Sequence, residues 1–416
     1  MRSQKTTERV LFDNIGTLYV NNDVLPGRKE DLANVEVVKD AWMVVRNGLI
    51  EDFGGKARKP AFMKGTDVID VKNMIMTPGL IDSHTHLVHG GSREHEHARL
   101  VSGTPYLDIL KEGGGILSTV KATRQATFSE LYTKALKSLD RMMAYGVTTL
   151  EAKSGYGLDF DTEHKMLMVT RALAKYHPMT LLSTYMGAHA VPSEMRGNTE
   201  GYVDSVIRDL DKIKAERLAD AVDVFCEEGV FSLEATERIL TRAKELGFRI
   251  RLHADEIVPM GGAGLGARLG ASSVDHLLAI SDDDIRLLAQ SDTVANLLPG
   301  TAFYLGKDYA RAREMIDLGV AVSVSGDYNP GSNPTENFQF VMHLAQAKMG
   351  MTPYEVLNAV TGNAAWHLGV SESRGLIRPG MAADLVIFDA PNLEYMFYHY
   401  GINHVRHVIK DGHPVV

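Results

Sequence analysis

The sequence predicts an α/β protein in which a (β/α)₈ TIM-type barrel carries a small β-sandwich domain built from both ends of the chain. Two observations predict this class. From about residue 76 onward, short strands rich in Val, Ile, Leu or Thr alternate with longer segments of helical periodicity. Such alternation implies parallel strands joined by crossover helices, and eight such units point to a closed barrel. Polar side chains also recur where those strands end, which is where barrels keep their functional residues.

The eight predicted barrel strands are apolar and are bounded by Gly, Pro or polar residues. They cover residues 80–86, 147–152, 181–187, 221–226, 249–253, 273–276, 293–297 and 321–325. The spacing of apolar residues predicts helices over 127–145 and 232–246, and a further helical stretch over 354–368. Ser281, followed by three aspartates, is typical of an N-cap and an acidic first turn.

The two ends of the chain lack this alternation. Strand-like pieces at 17–21, 40–45, 49–53 and 68–71 precede the barrel, and another at 383–388 follows it. Neither end has enough apolar residues for a core of its own. We therefore expect one composite β domain made of residues 1–75 and 371–416, beside a barrel that covers residues 76–370.

Composition narrows the classes of function. The 416 residues are 44% hydrophobic and 23% charged, which is typical of a soluble globular protein. A net charge of −9 argues against broad nucleic-acid binding, and no apolar run is long enough for a membrane span. The single cysteine, Cys226, excludes an intrachain disulfide and suits a reducing cytoplasm. An anionic substrate would need a positively charged side chain at its binding site, because the net negative charge of the protein repels it.

Two histidines at the end of the first barrel strand give the strongest functional signal. His84 and His86 are two positions apart, so in extended chain their side chains point to the same face and can bind one metal ion. His253 ends the fifth strand, and Asp327 follows the eighth. Three imidazole nitrogens and one carboxylate leave room for a bound water, as a catalytic zinc site requires. Such a site would lower the pKa of that water to about 7.

Three further groups are candidates for the catalytic steps. Glu256 follows His253 by three residues and can hold the water or carry a proton, whereas the neighbouring Asp255 should point elsewhere. His276 ends the sixth strand and is either a fifth ligand or, as we prefer, a group that polarises a carbonyl and orients water. Asp327 is, besides a metal ligand, a candidate acceptor for the proton of the water.

Longer strings of residues carry a resemblance to a known family. Residues 78–86, with single histidines at strands five and six and an aspartate at strand eight, resemble the amidohydrolase superfamily, as do 361–365 and 380–385. A second set of strings, in order across the barrel, is similar to the imidazolonepropionase family within that superfamily. These strings are GGSRE at 90–94, GGGI at 113–116, KSGYGL at 153–158, GAHAVP at 187–192, DVFCEE at 223–228 and NPGS at 329–332.

The resemblance implies a reaction and a set of site residues. Members of this family open the ring of 4-imidazolone-5-propanoate with water to give N-formimidoyl-L-glutamate in histidine degradation, and they use zinc or iron. It implies that the metal is bound by His84, His86, His253 and Asp327, and that catalysis is assisted by His276. It also implies that the substrate is bound by Arg93, Tyr156, His189, Glu256, Asn329, Gly331 and Ser332. A homodimer is a further expectation from the family.

The chain departs from the superfamily at strand four and near strand eight. Many of these hydrolases carry at the fourth strand a carboxylated lysine that bridges two metals. In this chain that strand ends in residues 225–228, and Lys153 ends the second strand instead, so we expect one metal ion. Tyr328 stands where a smaller residue is usual, and it can alter the shape of the pocket.

The residue types suit a substrate with a carboxylate arm. Arg93 can clamp the propanoate with paired hydrogen bonds, and Tyr156 can donate another. Exposed amides in the loop of Asn329, Gly331 and Ser332 can receive the carboxylate that ring opening creates. Two alternatives stay open. An aromatic deaminase shares the metal residues but releases ammonia and needs no carboxylate clamp, and a non-catalytic metal-binding or assembly protein would bind metal without turnover.

Overall fold

The structure is a computed structural model that describes residues 8–59, 66–104 and 114–416. Gly113 of the predicted 113–116 string lies outside these ranges, as do the first seven residues of the predicted β domain. The described strands form two sheets, one parallel and one mixed.

The described strands are numbered in chain order. They are β1 (Arg9–Asn21), β2 (Val35–Arg46), β3 (Leu49–Gly55), β4 (Asp67–Asp70), β5 (Ile75–Pro78), β6 (Leu80–Asp82), β7 (Val147–Lys153), β8 (Thr180–Ala188), β9 (Ala221–Cys226), β10 (Arg249–Ala254), β11 (Ser273–His276), β12 (Val294–Leu297), β13 (Val322–Val324), β14 (Leu385–Phe388), β15 (Val405–Lys410) and β16 (His413–Pro414).

The described helices follow the same order. They are α1 (Glu30–Ala33), α2 (Glu94–Val101), α3 (Ile116–Gln125), α4 (Phe128–Ala144), α5 (Phe160–Tyr176), α6 (Thr199–Ala215), α7 (Leu233–Glu245), α8 (Gly262–Leu269), α9 (Asp282–Ala289), α10 (Pro299–Leu305), α11 (Ala312–Leu318), α12 (Phe338–Met349), α13 (Pro353–Ala359), α14 (Gly362–Leu368) and α15 (Leu393–Tyr398), with 3₁₀ turns at Lys56–Arg58 and Ser193–Met195.

The parallel sheet is the predicted barrel. Strands β6 to β13 are hydrogen-bonded in chain order, each parallel to the next. Backbone bonds also join the segments after the first and eighth strands. The Asp327 amide donates to the His84 carbonyl at 2.9 Å, and the His86 amide donates to the Tyr328 carbonyl at 2.8 Å. The barrel prediction is therefore confirmed, and its closure places the chain after β6 beside the chain after β13.

The mixed sheet unites both ends of the chain, as predicted. Its order is β16-β15-β14-β5-β1-β2-β3, and β4 also pairs with β1. The junction between the two ends is the antiparallel pair of β5 and β14. Phe12, Ile15, Met43 and Leu385 are fully buried in its core, which neither end could build alone. The domain boundaries at residues 75 and 370 stay predictions.

Side-chain caps fix the starts of the predicted helices. Thr127 and Glu130 form a reciprocal capping box at the start of α4, which satisfies two backbone amides. Ser232 caps α7, and the Ser281 hydroxyl accepts the amide of Asp284 at the start of α9. These three helix starts are where the sequence predicts them. Among the described residues, no helix combines the length and the apolar character needed to cross a bilayer.

Some element bounds differ from the predictions. Strand β6 ends at Asp82 rather than residue 86, so His84 and His86 lie on the chain that follows the strand. The helical stretch predicted over 354–368 is two helices, α13 and α14. They break because Thr361 leaves the helical region and its hydroxyl accepts a hydrogen bond from Asn21 of β1. Elements that the sequence reasoning did not predict include β5, β15, β16 and α12.

Candidate active site

The four predicted metal ligands converge at the carboxyl end of the barrel. The Nε2 atoms of His84 and His86 lie 3.5 and 3.8 Å from Asp327 Oδ1. His253 Nε2 lies 3.4 Å from His86 Nε2. One ligand atom from each of the three histidines lies within 4.8 Å of the other two, and all four side chains are buried. The structure thus brings together side chains from three separate parts of the barrel.

The polar atoms at this cluster fit a metal ion. His84 Nε2 and Asp327 Oδ1 are buried, and neither has a hydrogen-bond partner within the described ranges. Buried polar atoms are almost always partnered, so two orphaned atoms that face each other call for a shared ligand. Neutral imidazoles and a carboxylate are also the donor set that zinc takes. The residues present therefore suit one divalent cation.

The environment keeps the imidazoles in the form that binds metal. Burial, assisted by the nearby Lys153 ammonium, holds the pKa of His84 well below its usual range. Burial also holds the pKa of His86 well below its usual range and lowers the pKa of His253 to about 3. The three rings are consequently neutral at physiological pH, and each offers a nitrogen lone pair to a cation.

Two aspartate carboxylates orient the imidazole rings of His84 and His253. Asp275 Oδ2 lies 2.5 Å from His84 Nδ1, and Asp223 Oδ1 lies 3.0 Å from His253 Nδ1. A carboxylate accepts, so each Nδ1 carries the hydrogen and each Nε2 is left with the lone pair. The orientation of Asp327 is fixed by the Thr301 hydroxyl, which donates to Oδ2 and leaves Oδ1 toward the cluster.

His276 and Glu256 lie next to this cluster. The His276 ring centroid is 5.5 Å from that of His84 and 5.0 Å from that of His253. Both of its ring nitrogens are buried without a hydrogen-bond partner among the described residues, and Nδ1 is 3.7 Å from Glu256 Oε2. The His276 ring can thus bond a group placed between the cluster and Glu256.

Burial and a neighbouring carboxylate change the acidity of Glu256. Its pKa rises to about 7, first because the side chain is desolvated and second because Glu227 repels its negative charge. Glu227 accepts hydrogen bonds from the amides of Glu256, Ile257 and Val258, at 3.1, 2.9 and 3.3 Å. The raised pKa of Glu256 therefore suits a group that can both give and take a proton.

Backbone strain is concentrated in the same region. The φ angles of Asp255, His276 and Asp327 are +49°, +79° and +52°, a region that residues other than glycine rarely adopt. The Asp255 carboxylate accepts the amides of residues 261–263 at the start of α8, so this side chain points away from the cluster as expected. The other two residues turn their side chains into the site at the cost of this strain.

A partly buried arginine lies beside the loop that follows β13. Arg93 Nε donates to Glu96 Oε2 at 2.8 Å, and the two side chains are only 11% and 4% exposed. Glu96 also accepts the Gly115 amide and the Ser118 hydroxyl, which holds the carboxylate in place. A Cβ added at Gly331 would clash with Arg93 Nη1, so the guanidinium abuts this loop. The structure therefore places a partly buried cation beside the loop of residues 329–332.

Two of the predicted substrate residues pack against His86. The His189 ring stacks on the His86 ring at 4.9 Å between centroids, with 10° between the planes. The Tyr156 ring lies 5.6 Å from His86 and 5.2 Å from His189. His189 Nδ1 is 2.9 Å from the Gly155 carbonyl, so Nδ1 carries the hydrogen and Nε2 carries the lone pair. Both residues thus pack beside the His86 ring of the cluster.

The predicted role of the loop amides is wrong in one respect. The amides of Gly331 and Ser332 are not available to a product carboxylate, because both donate to Asn329 Oδ1, at 2.8 and 2.7 Å. Asn329 Nδ2 in turn donates to the Asp327 carbonyl. Asn329 therefore ties the loop to Asp327 through its side chain. The neighbouring Tyr328 hydroxyl is directed to α4, where it bonds Ser138 at 2.9 Å.

Comparison with known proteins agrees with this geometry. Residues 75–415 match the sequence profile of the Amidohydrolase family. This chain is an amidohydrolase. The imidazolonepropionase of Bacillus thuringiensis (strain Al Hakam) is 51% identical over 386 residues, which cover 92% of this chain and 91% of that protein. The imidazolonepropionase of Fusobacterium nucleatum subsp. nucleatum is 49% identical over 401 residues, covering 96% and 97%. The amidohydrolase belongs among the imidazolonepropionases.

Solved structures show the same fold at low sequence identity. E. coli guanine deaminase superposes on the amidohydrolase with a TM-score of 0.73 at 14% identity, covering 99% of each chain. The 5-methylcytosine deaminase of Klebsiella pneumoniae gives a TM-score of 0.74 at 17% identity, covering 98% of each. At these identities the likeness concerns the fold alone.

Lys153 of the amidohydrolase bonds carboxylates beneath the metal cluster. Its Nζ lies 2.7 Å from Asp223 Oδ2 and 2.9 Å from Glu151 Oε2. Carboxylation of this lysine would place a new anion among these carboxylates, which a buried site strongly disfavours. The contacts of Lys153 thus argue against its carboxylation.

Sequence reasoning missed several residues of the site. Asp223 interrupts the otherwise apolar strand β9, and Asp275 directly precedes His276; these positions are a signal that could have found them. His89 has a ring 6.1 Å from Tyr156, and Glu96 holds Arg93, yet neither stands out in a run rich in His and Glu. Their roles become visible only in the folded chain.

Proposed function

We propose that this amidohydrolase opens the ring of 4-imidazolone-5-propanoate with water and releases N-formimidoyl-L-glutamate, the imidazolonepropionase reaction of histidine degradation. The observation that carries the proposal is the pairing of a His/Asp cluster with the partly buried Arg93, in a chain about half identical to proteins of that name. The cluster suits hydrolysis of a cyclic amide, and the guanidinium suits a substrate with a carboxylate arm.

We assign the metal to His84, His86, His253 and Asp327. A zinc or iron ion bound there would supply an activated water and would polarise the ring carbonyl. The donor set of three nitrogens and one oxygen suits either metal, so the proposal covers both. The distances of 3.4 to 3.8 Å between the facing donor atoms support a common ligand for all four residues.

The substrate is held at its arm and at its ring. Arg93 presents Nη1 and Nη2 to the propanoate while Glu96 holds its Nε, which leaves the guanidinium fork aligned for a paired contact. Tyr156 and His189 pack against His86 and contact the ring of the substrate. Asn329, Gly331 and Ser332 form the wall beside Arg93, and the Ser332 hydroxyl completes it.

Three side chains move or stabilise charge during ring opening. His276, whose two ring nitrogens have no hydrogen-bond partner in the described chain, donates to the oxygen that becomes negative when the ring carbonyl is attacked. Asp327 accepts a proton from the attacking water. Glu256, with its pKa raised to about 7, supplies a proton to the ring nitrogen that departs as the carbon–nitrogen bond breaks.

The remaining parts of the proposal concern partners and location. We expect a small anionic substrate, a homodimer and a cytoplasmic protein that binds neither membrane nor nucleic acid. The buried, unpaired Cys226 and the net charge of −9 support a reducing compartment and argue against a polyanionic partner.

A direct assay tests the reaction. Metal-loaded protein is incubated with freshly made imidazolonepropanoate, and the loss of ring absorbance is followed together with ammonia release. We expect loss of the ring without ammonia. No loss of absorbance would falsify the substrate assignment, and ammonia release in a parallel incubation with an aminated ring would instead identify a deaminase.

A further inference from the structure

The interior of the barrel holds charged side chains beneath the metal cluster. Glu151 and Lys153 lie two positions apart on β7, so both point into the barrel. The side chains of Asp223 of β9 and Asp275 of β11 point to the same part of the barrel interior, where they contact Lys153. All four are at most 1% exposed. Barrel interiors are usually filled with branched apolar residues, so charges at this depth need a specific role.

Lys153 is the centre of this group. Its Nζ lies 2.7 Å from Asp223 Oδ2, 2.9 Å from Glu151 Oε2 and 3.7 Å from Asp275 Oδ2. The guanidinium of Arg251 also bonds Glu151, so that carboxylate is shared between two cations. The Lys153 ammonium therefore contacts carboxylates from three different strands.

Two of these carboxylates are the ones that orient metal-ligand histidines. Asp223 uses Oδ2 for Lys153 and Oδ1 for His253 Nδ1, at 3.0 Å. Asp275 uses Oδ2 for both Lys153 and His84 Nδ1, the latter at 2.5 Å. Two chains of contacts thus run from one ammonium, through one aspartate each, to two histidines that face the cluster.

The arrangement needs a cation at its centre. Asp223 and Asp275 are close enough to share Lys153, so without it two buried carboxylates would repel each other in a medium of low dielectric. Each would then rotate or take up a different partner, and the ring that it orients would move with it. Carboxylates behind metal-bound histidines contribute measurably to metal affinity, so the effect should reach the cluster.

We propose that Lys153 is a positioning residue for the metal centre, one buried ammonium that fixes Asp223 and Asp275 and through them His253 and His84. The proposal rests on the metal centre of the proposed function but is independent of the substrate. It assigns Lys153 a role that does not require contact with metal or substrate.

The test compares two lysines that are both buried. Lys410 of β15 is 4% exposed and pairs with Asp384 at 2.7 Å in the mixed sheet, far along the chain from the cluster. K153M and K410M each remove one buried, ion-paired ammonium. Metal affinity is measured by competition with a chromophoric chelator, using Zn²⁺ and Co²⁺, and the visible absorption spectrum of the Co²⁺ form reports the geometry of its ligands.

We expect K153M to bind metal about 10- to 100-fold more weakly and to change the Co²⁺ spectrum, as loss of a residue behind the ligands does. K410M should lower thermal stability but keep the affinity and spectrum of the unmodified protein. Unchanged affinity and spectrum in K153M, or an equal loss in K410M, would overturn the role of Lys153. Failure of the unmodified protein to bind metal would instead overturn the metal centre itself.

A second variant guards against a K153M protein that does not fold. K153Q keeps two N–H donors but loses the positive charge, so we expect an intermediate loss of metal affinity. Affinity equal to that of the unmodified protein would count against the proposal. Because no substrate is used in these measurements, their outcome is separate from that of the ring-opening assay.

Discussion

Replacement of Arg93 by alanine tests how the amidohydrolase binds the carboxylate arm of its substrate. The Arg93 side chain is only 11% exposed, so a carboxylate bound to it is shielded from solvent and the contact is screened little. A hydrogen bond to a charged group contributes about 1.5–3 kcal/mol. Each 1.4 kcal/mol corresponds to about tenfold in affinity, so we expect KM to rise about 10- to 100-fold in R93A. The metal ligands are untouched, and metal content should not change.

Steady-state kinetics on two substrates give this prediction its control. On imidazolonepropanoate, R93A should raise KM far more than it lowers kcat. The KM of R93K should lie between those of R93A and the unmodified protein, because lysine keeps the positive charge but cannot form the paired hydrogen bonds of a guanidinium. On an imidazolone ring without the propanoate arm, R93A and the unmodified protein should perform alike. An equal loss on both substrates would refute the assignment of Arg93 to the arm and would leave it a structural role with Glu96.

Other parts of the site make separate predictions. G331A should raise KM without loss of metal, because its Cβ would clash with Arg93 Nη1; unchanged kinetics would place the loop away from the substrate. If Glu256 acts in its protonated form, its raised pKa of about 7 means that kcat falls as the pH increases through that value. E227Q removes the repelling charge, so the fall should begin at lower pH, and a pH profile that does not move would contradict this cause. H253A should lose metal measured by atomic absorption and lose activity, and a metal-loaded but inactive variant would show that His253 is not a ligand.

The sequence predicts the barrel and the convergence of its candidate metal ligands because both depend on local patterns. Alternating strands and helices appear directly in the order of apolar residues, and His84, His86, His253 and Asp327 follow strands whose carboxyl ends share one face. In a barrel of parallel strands the carboxyl ends lie at one face, so the fold alone predicts that these side chains come together.

The supporting residues could not be predicted in the same way. Asp275 touches His84 across 191 residues of sequence, and Asp223 touches His253 across 30, so their roles depend on strand neighbours that a single sequence does not reveal. The sequence predicts exposed amides at Gly331 and Ser332, yet the Asn329 side chain accepts both. An asparagine that bonds the backbone two and three residues ahead is a local motif that could have been recognised.

The most direct test of metal-dependent hydrolysis is ring opening in ¹⁸O-labelled water, followed by mass spectrometry of the product. We predict N-formimidoylglutamate with one labelled oxygen in the carboxylate formed from the ring carbonyl, and only when the protein carries metal. Equal turnover by protein stripped of metal with a chelator, or a product without the label, would contradict this mechanism.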